Sequence, residues 1–134
     1  MSFCSAFTIK SDTRYLALLR QWVESSARIV GRRRFPRRAV MACSLALIEA
    51  VDNAIFHAHR RRRSIPIQVS LSVNECEVVL EVVDRGSGIG HPLLPPPDSM
   101  VTHGRGLFLI RSLMAHVESH ARDGYHRMRM IYRL

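Results

Sequence analysis

The sequence predicts an α+β domain in which an antiparallel or mixed sheet carries helices on one face. Two observations support this fold class. Segments that alternate between apolar and polar residues occur as adjacent pairs, which is typical of hairpins. The paired segments are 65–73 with 76–84, and 117–121 with 125–134. Apolar residues at helical spacing occur outside these pairs. Runs of paired strands with helices outside them are typical of an α+β arrangement.

The first part of the chain predicts one strand followed by one helix. Residues 3–10 alternate loosely between apolar and polar side chains, which favours an edge strand. Apolar residues then recur at helical spacing over 13–30. Asp12 suits the N-cap of this helix, and Gly31 suits its end, because glycine readily adopts the positive φ found there.

The remaining elements are predicted from spacing and from turn residues. A second helix is expected over 36–60, because proline suits its first turn and arginines at its far end favour the helix dipole. Two-residue turns are expected at 74–75 and 123–124. Prolines exclude regular structure from 91–103, after which a helix is expected over about 107–116.

Length and composition limit the class of protein. The 134 residues suffice for one domain, and a hydrophobic content of 47% is that of a folded globular chain. No apolar run approaches the roughly 20 residues of a membrane span. The N-terminus lacks the pattern of a signal peptide, so we expect a cytoplasmic protein that does not enter a membrane.

The chain is strongly basic, and its positive charge is almost entirely arginine. The formal net charge is +9, and Lys10 is the only lysine. Arginines cluster at 32–34, 37–38 and 60–63. Such a surface favours an acidic partner or nucleic acid, and a solvated arginine-rich rim is an equally good interpretation. We expect no direct nucleic-acid binding, because no aromatic residues that would stack on bases are interleaved.

The three cysteines do not indicate a disulfide framework or a zinc site. Cys4, Cys43 and Cys76 are odd in number, distant in sequence and not arranged as CxxC. We therefore interpret each as a buried and inert thiol.

A carboxylate followed by glycines ends the strand predicted over 76–84. Asp84 precedes Gly86, Gly88 and Gly90, and glycine lets a backbone approach a ligand closely. The GxGxG spacing and the following proline-rich loop exclude the dinucleotide-binding fingerprint, and a P-loop would need GK[ST]. A carboxylate at a strand end suits a hydrogen bond from the exocyclic amine of adenine.

A second glycine cluster, Gly104-Arg105-Gly106, opens the next predicted helix. A helix N-terminus presents free backbone N–H groups to an anion, so phosphates would suit this cluster while adenine suits the first. Taken alone, a tight turn and a packing contact explain each cluster better than a ligand does.

A polar pair inside an apolar helical segment decides between these interpretations. Glu49 and Asn53 are four residues apart and share one helix face within 45–59. Burying them is unfavourable unless they have partners or a role. Asn53 offers an oxygen to a hard cation such as Mg²⁺, and Glu49 suits the deprotonation of a nucleophile. The alternative is a polar pair on the helix surface, which the apolar neighbours disfavour.

These segments together resemble the GHKL ATPase superfamily, in the right order and spacing. The matching segments are the N-box at 45–59, the first glycine box at 84–90, the ATP lid at about 91–103 and the second glycine box at 104–107. The phrases EAVDNAIFHA and GRGLFLIRSLM resemble most the RsbW-type anti-sigma factor serine/threonine kinases. Histidine kinases share the fold, but the compact lid and the lack of a phosphoacceptor segment argue against them.

The resemblance implies a single Bergerat-fold domain over 1–134, a two-layer α/β sandwich with a mixed, mostly antiparallel sheet that binds ATP and Mg²⁺. It implies that Glu49 is the catalytic base, that Asn53 holds the magnesium and that Asp84 contacts adenine. The other ATP-binding residues that it implies are Gly86, Gly88, Gly104, Arg105, Gly106 and Leu107. Two positions depart from the family: Tyr125 replaces a threonine near adenine, and Asp52 adds a carboxylate beside Asn53.

The resemblance also implies a function and partners. Such a protein sequesters a sigma factor and phosphorylates a STAS-domain anti-anti-sigma protein, and it is often a homodimer. One alternative is a switch kinase of the same fold that acts only on a STAS protein. Another is a binding-only anti-sigma module with little kinase activity, over which the intact Glu49 favours an active kinase.

Overall fold

Five antiparallel strands form one sheet in the computed structural model, which describes residues 2–58, 65–85 and 102–134, with backbone alone for 57–58 and 102–105. The strands are β1 (Phe3–Lys10), β2 (Pro66–Val73), β3 (Glu77–Asp84), β4 (His116–Arg122) and β5 (Tyr125–Arg133). They lie in the order β1-β2-β3-β5-β4, so the predicted strand at 3–10 is an edge strand. The α+β class is confirmed, and every strand pair within the described residues is antiparallel.

Three helices form the second layer. They are α1 (Leu16–Val30), which follows a short 3-10 turn, α2 (Arg37–Asn53), and α3 (Thr102–Leu113). The predicted end of the first helix at Gly31 is confirmed, but its predicted start is not: Asp12 caps the 3-10 turn Thr13–Tyr15, and the α-helix begins only at Leu16. The Asp12 carboxylate accepts a hydrogen bond from the Arg14 amide, and Gly31 ends α1 with a φ of 102°.

The core lies between the helices and one face of the sheet, as expected for a two-layer sandwich. α2 is the central helix and is flanked by α1 and α3. Its buried side chains, such as Leu47 and Val51, pack in one cluster with inward-facing strand residues such as Leu71 and Leu80. Polar and charged residues lie on the other face of the sheet, where Arg127 of β5 pairs with Glu81 of β3 at 3.4 Å.

Two predicted boundaries are corrected by the structure. The third helix begins at Thr102 and not at 107, because packing against α2 outweighs the low helix propensity of its two glycines. The turn between β2 and β3 is centred on Glu75 and Cys76. Asn74 closes it, since its Oδ1 accepts hydrogen bonds from the amides of Cys76 and Glu77 at 2.8 and 3.0 Å.

The second predicted helix changes geometry before its expected end. α2 is α-helical to Asn53 and continues as a π-helical turn over Ala54–Ala58. The rest of the prediction for this helix, including the arginines at 60–63, lies outside the described residues. Isolated π-helical turns are frequent at functional sites, and this one starts directly after Asn53.

The sequence was expected to contain no apolar run that approaches the length of a membrane span, yet one helix is long and apolar enough to be one by length and composition alone. One helix, Arg37–Phe56, passes both criteria among the described residues. Yet 67% of its most apolar window is buried inside the protein. That burial is typical of the central helix of a core, and it explains why this segment is so apolar.

The cysteine interpretation holds for one thiol of the three. Cys43 is buried in α2, and this burial raises its pKa to about 12. Cys4 and Cys76 are exposed, contrary to the prediction. Cys4 belongs to the outward-facing set of an edge strand, and Cys76 lies in a hairpin turn, so neither position reaches the core.

Candidate nucleotide-binding site

Asn53 is a buried amide at the end of α2. Only 4% of its surface is exposed, and its Nδ2 has no hydrogen-bond partner within the described part of the chain. An unsatisfied buried donor is costly, and native proteins contain few of them. The amide is therefore placed as a ligand-binding group would be.

Glu49 lies one helical turn before Asn53 and is partly exposed. Gly106 of α3 packs directly against both side chains. A Cβ atom at position 106 would lie 2.7 Å from Glu49 Oε2 and 3.3 Å from both amide atoms of Asn53. Glycine therefore lets α3 approach α2 without displacing the end of the Glu49 side chain. The predicted N-box and second glycine box are thus brought together.

Asp84 ends β3 and is also buried, with 4% exposure. It lies opposite His126 of β5, whose Nδ1 is 3.4 Å from Asp84 Oδ2. Ser119 of β4 lies behind the ring, with its Oγ 2.5 Å from His126 Nε2. One ring nitrogen of His126 thus lies against the Asp84 carboxylate and the other against the Ser119 hydroxyl, and the tautomer of the ring decides which atom donates in each contact.

His126 and Ser119 were not among the predicted site residues. Alternation along the strand places His126 on the inward face of β5, which is a signal that the sequence does contain. Its meeting with Asp84 depends on the register between β3 and β5, over a separation of 42 residues. The sequence offers no local pattern that sets this register.

Tyr125, which departs from the family pattern, is half-exposed and lies beside Arg85. The guanidinium carbon of Arg85 is 5.8 Å from the centre of the Tyr125 ring, which is a cation–π distance. Arg85 directly follows Asp84, so this pair lies next to the buried carboxylate. The other departure, Asp52, is half-buried on α2.

Several predicted site residues are described only in part or not at all. Gly86, Gly88 and the lid segment up to residue 101 lie outside the described residues. Gly104 and Arg105 are described by their backbone, which forms the first turn of α3. The Leu107 side chain is buried in the core, so any contact with a nucleotide would come from its backbone.

The described residues fit a magnesium nucleotide better than a metal bound by protein alone. No group of three or more His, Cys, Asp or Glu residues within them could hold a metal ion. Magnesium in nucleotide sites is usually held by one or two protein oxygens together with phosphates. Asn53 supplies one such oxygen, and Gly106 of α3 places no side chain against it.

The chain is similar to a curated anti-sigma F factor from Clostridium beijerinckii, with 26% identity over 85 residues. This match spans 59% of each chain. A crystal structure of the RsbU and RsbW domains of a Mycobacterium tuberculosis protein is similar in fold, with a TM-score of 0.66 and 16% identity. That match covers 98% of this chain and 32% of the other.

Two solved histidine kinases also share the fold. The histidine kinase domain of a blue-light activated kinase from Erythrobacter litoralis matches with a TM-score of 0.56 and 20% identity, over 92% of this chain and 61% of the other. A histidine kinase from Acinetobacter baumannii matches with a TM-score of 0.53 and 13% identity, over 96% of this chain and 67% of the other. The model of the histidine kinase-like ATPase domain family matches residues 9–132. The chain therefore belongs to the histidine kinase-like ATPase domain family, and the membership predicted from its three motifs is confirmed.

Proposed function

We propose that this chain is an ATP-binding anti-sigma factor and serine/threonine protein kinase. In this role it sequesters a sigma factor and phosphorylates a STAS-domain anti-anti-sigma protein. The observation that carries the proposal is the packing of Gly106 against Glu49 and Asn53, which brings a carboxylate, an amide and a helix N-terminus to one place. Membership of an ATPase domain family and similarity to a protein named anti-sigma F factor support it.

The two polar side chains of α2 have distinct roles in this proposal. Asn53 Oδ1 holds a magnesium ion, which neutralises phosphate charge when bound. Glu49 accepts the proton of a serine or threonine hydroxyl as its oxygen attacks the γ-phosphorus, while the bond to the ADP oxygen breaks. The free amides of the first turn of α3, including that of Gly104, bind phosphate oxygens. The Arg105 guanidinium adds a planar donor to the same oxygens.

Asp84 recognises adenine in this proposal, by accepting a hydrogen bond from its exocyclic amine. A carboxylate has about four acceptor positions, so the contact with His126 is compatible with a bond from the base. His126 fixes the direction of the carboxylate, and Ser119 contacts the other ring nitrogen of His126. Gly86 and Gly88 then allow the backbone to approach the base.

Phosphorylation of the STAS-domain partner breaks its complex with the kinase. A phosphoserine or phosphothreonine carries nearly two negative charges, which disrupt a packed interface through repulsion and desolvation. Release of that partner leaves the kinase available to the sigma factor. We place the protein in the cytoplasm as a homodimer, and light scattering of the purified chain would test the dimer.

Nucleotide binding is the first test. We expect wild-type protein to bind ATP in magnesium-dependent fashion by calorimetry, and Asp84→Ala to lose this binding. ATP binding by Asn53→Ala should no longer depend on magnesium, while Glu49→Ala should bind ATP as wild type does. Glu75→Ala, in the exposed turn between β2 and β3, is a control that should bind as wild type does. Absence of ATP binding by the wild type would refute the proposal.

Phosphoryl transfer separates the kinase from a module that only binds. We expect wild-type protein to transfer radiolabelled γ-phosphate to a STAS-domain protein. Transfer by Glu49→Ala should be slower by a factor of about 10² to 10⁴, which is the usual contribution of a general base. Full transfer by Glu49→Ala would show that its role is wrong. A pull-down with purified sigma factors then distinguishes an anti-sigma factor from a kinase that acts only on the STAS protein.

A further inference from the structure

A groove between α1 and α2 lies outside the nucleotide site. Its volume is about 510 Å³, and it opens to solvent. Its lining residues come from α1, from the link between the helices and from one face of α2. They are Arg20, Glu24, Arg32, Arg37, Val40, Met41, Ser44, Leu45 and Ile48.

The floor of the groove is apolar and exposed. Met41 and Leu45 are four residues apart on α2, so they share one helix face, and 66% and 42% of their surfaces are exposed. Val40 and Ile48 extend this surface along the helix. Exposed apolar residues that form a contiguous surface with a polar rim are typical of a binding site.

The rim of the groove is positively charged. Arg32 donates a hydrogen bond to Glu24, and this bond is the main cause that lowers the pKa of the Glu24 carboxyl. Glu24 therefore neutralises one arginine of the three. Arg20 and Arg37 have no ion-pair partner among the residues that the structure describes. Arg37 also helps to lower the pKa of the Glu24 carboxyl through longer-range attraction, but the rim keeps more positive than negative charge to meet acidic groups of another molecule.

A buried hydroxyl adds a polar atom to the floor. Ser44 is 6% exposed, and its Oγ has no hydrogen-bond partner within the described ranges. A helical serine commonly satisfies its hydroxyl by bonding a backbone carbonyl one turn earlier. The Ser44 hydroxyl does not, and its oxygen lies beneath the floor of the groove without a partner among the described residues.

We propose that this groove binds an acidic amphipathic helix of a protein partner. The face of α2 from Arg37 to Ile48 spans 12 residues, about 17 Å at the rise of an α-helix, which matches about three turns of a bound helix. Apolar anchors spaced i and i+4 on that helix would cover Met41 and Leu45. Its carboxylates would pair with Arg20 and Arg37 at the rim.

Two other occupants fit the groove less well. A second copy of this chain related by a two-fold axis would place like arginine rims against each other, which is unfavourable. Nucleic acid would suit the arginines, but the groove has no aromatic side chain for stacking, and its floor is aliphatic. An acidic and apolar protein segment satisfies both the floor and the rim.

The inference rests on the proposed function in one respect only, the expectation that the chain acts on protein partners. It adds the chemistry of the partner surface, which the resemblance does not supply. Different residues form the groove and the nucleotide site, although Ile48 of the groove directly precedes Glu49 on α2. Binding of ATP and binding of a partner helix can therefore be lost separately.

A labelled synthetic peptide tests the groove on the full chain. The probe is a 14-residue helix with leucine at positions spaced three and four apart and glutamate on the other face. Its binding is measured by fluorescence anisotropy. We expect binding that weakens as sodium chloride rises, because screening shortens the range of the rim charges. The same helix with lysine in place of glutamate should not bind.

Matched variants locate the binding. Arg20→Glu and Arg37→Glu should each weaken the peptide at least about tenfold, because each replaces an attraction by a repulsion. Arg38→Glu is the control: it makes the same change of charge at the next residue of α2, but Arg38 lines a different hollow. Met41→Ser should weaken the peptide as well, whereas Ile29→Ser, at an exposed apolar residue outside the groove, should not.

Three outcomes would overturn the proposal. They are no binding of the acidic helix to folded wild type, equal loss in Arg38→Glu and Arg37→Glu, and binding of the lysine helix. Circular dichroism of each variant checks that it is folded. Magnesium-dependent ATP binding by the same variants should be unchanged, so a failure of the groove is distinguished from a failure of the nucleotide site.

Discussion

Gly106 links the two halves of the proposed active site, and its replacement should separate activity from stability. In Gly106→Ala the new methyl group would meet Glu49 Oε2 at 2.7 Å, so the flexible end of Glu49 must move away. Alanine favours a helix by about 1 kcal/mol over glycine, which offsets this displacement. We expect a free energy of unfolding close to that of wild type. The rate of phosphoryl transfer should fall by a factor of about 10² or more.

Gly31→Ala is the matched control, with the opposite expectation. Gly31 has a φ of 102°, and nothing lies within 4 Å of a Cβ atom built there. Its replacement should cost about 1 kcal/mol through backbone strain, with kinase activity unchanged at temperatures where the protein is folded. Urea titration and a kinase assay on both variants measure the two effects. Normal transfer by Gly106→Ala would contradict the role of its close packing.

The three thiols should differ sharply in reactivity. Burial raises the pKa of Cys43 to about 12, so at pH 8 only about one molecule in 10⁴ carries the reactive thiolate. Cys4 and Cys76 are exposed. We expect two thiols per native chain to react rapidly with a disulfide reagent and the third to react only after denaturation. Rapid reaction of all three in the folded protein would show that α2 opens readily.

The β2–β3 hairpin shows how one side chain sets an element. Asn74 Oδ1 accepts two backbone hydrogen bonds across the turn, from Cys76 and Glu77. Asn74→Ala removes both and should lower the free energy of unfolding by about 1 kcal/mol. Glu75→Ala, at an exposed turn position, is the control and should change it by less than about 0.5 kcal/mol. Urea unfolding measures both, and equal effects would show that the side-chain bonds are unimportant.

The helices differ in how well local pattern predicts them. Gly31 ends α1, and Asp12 caps the 3-10 turn that leads into it, because the conformational preferences of both residues act locally. The start of α3 does not follow from pattern, because Gly104 and Gly106 disfavour a helix unless tertiary contacts stabilise it. The packing of Gly106 against Glu49 and Asn53 is one of these tertiary contacts. No local pattern in the sequence predicts the change to π-helical geometry after Asn53.

At the scale of the whole molecule, the net charge of +9 should make stability depend on salt. A large net charge destabilises a compact state through self-repulsion, and salt screens that repulsion. We expect the thermal midpoint to rise by a few degrees as sodium chloride increases from about 20 to 200 mM. Differential scanning calorimetry measures this shift.

A charge variant provides the control for the salt effect. Arg38→Glu removes one positive charge and adds one negative charge, so the repulsion is smaller and the midpoint should rise less with salt. A midpoint that falls with salt would instead mean that surface ion pairs, such as Arg127 with Glu81, outweigh the repulsion.

The sequence by itself determined the fold class, the type of most elements and the residues of the three motifs. Strand and helix periodicity are local properties, and Glu49 and Asn53 share a face because four residues make about one helical turn. Only the tertiary structure decided which distant groups meet. The bond between His126 and Asp84 depends on strand register, the closeness of Gly106 to α2 depends on helix packing, and the arginine-rimmed groove depends on both helices that form it. These contacts join residues far apart in the chain, whose approach is set by the packing of the whole core and by no local pattern.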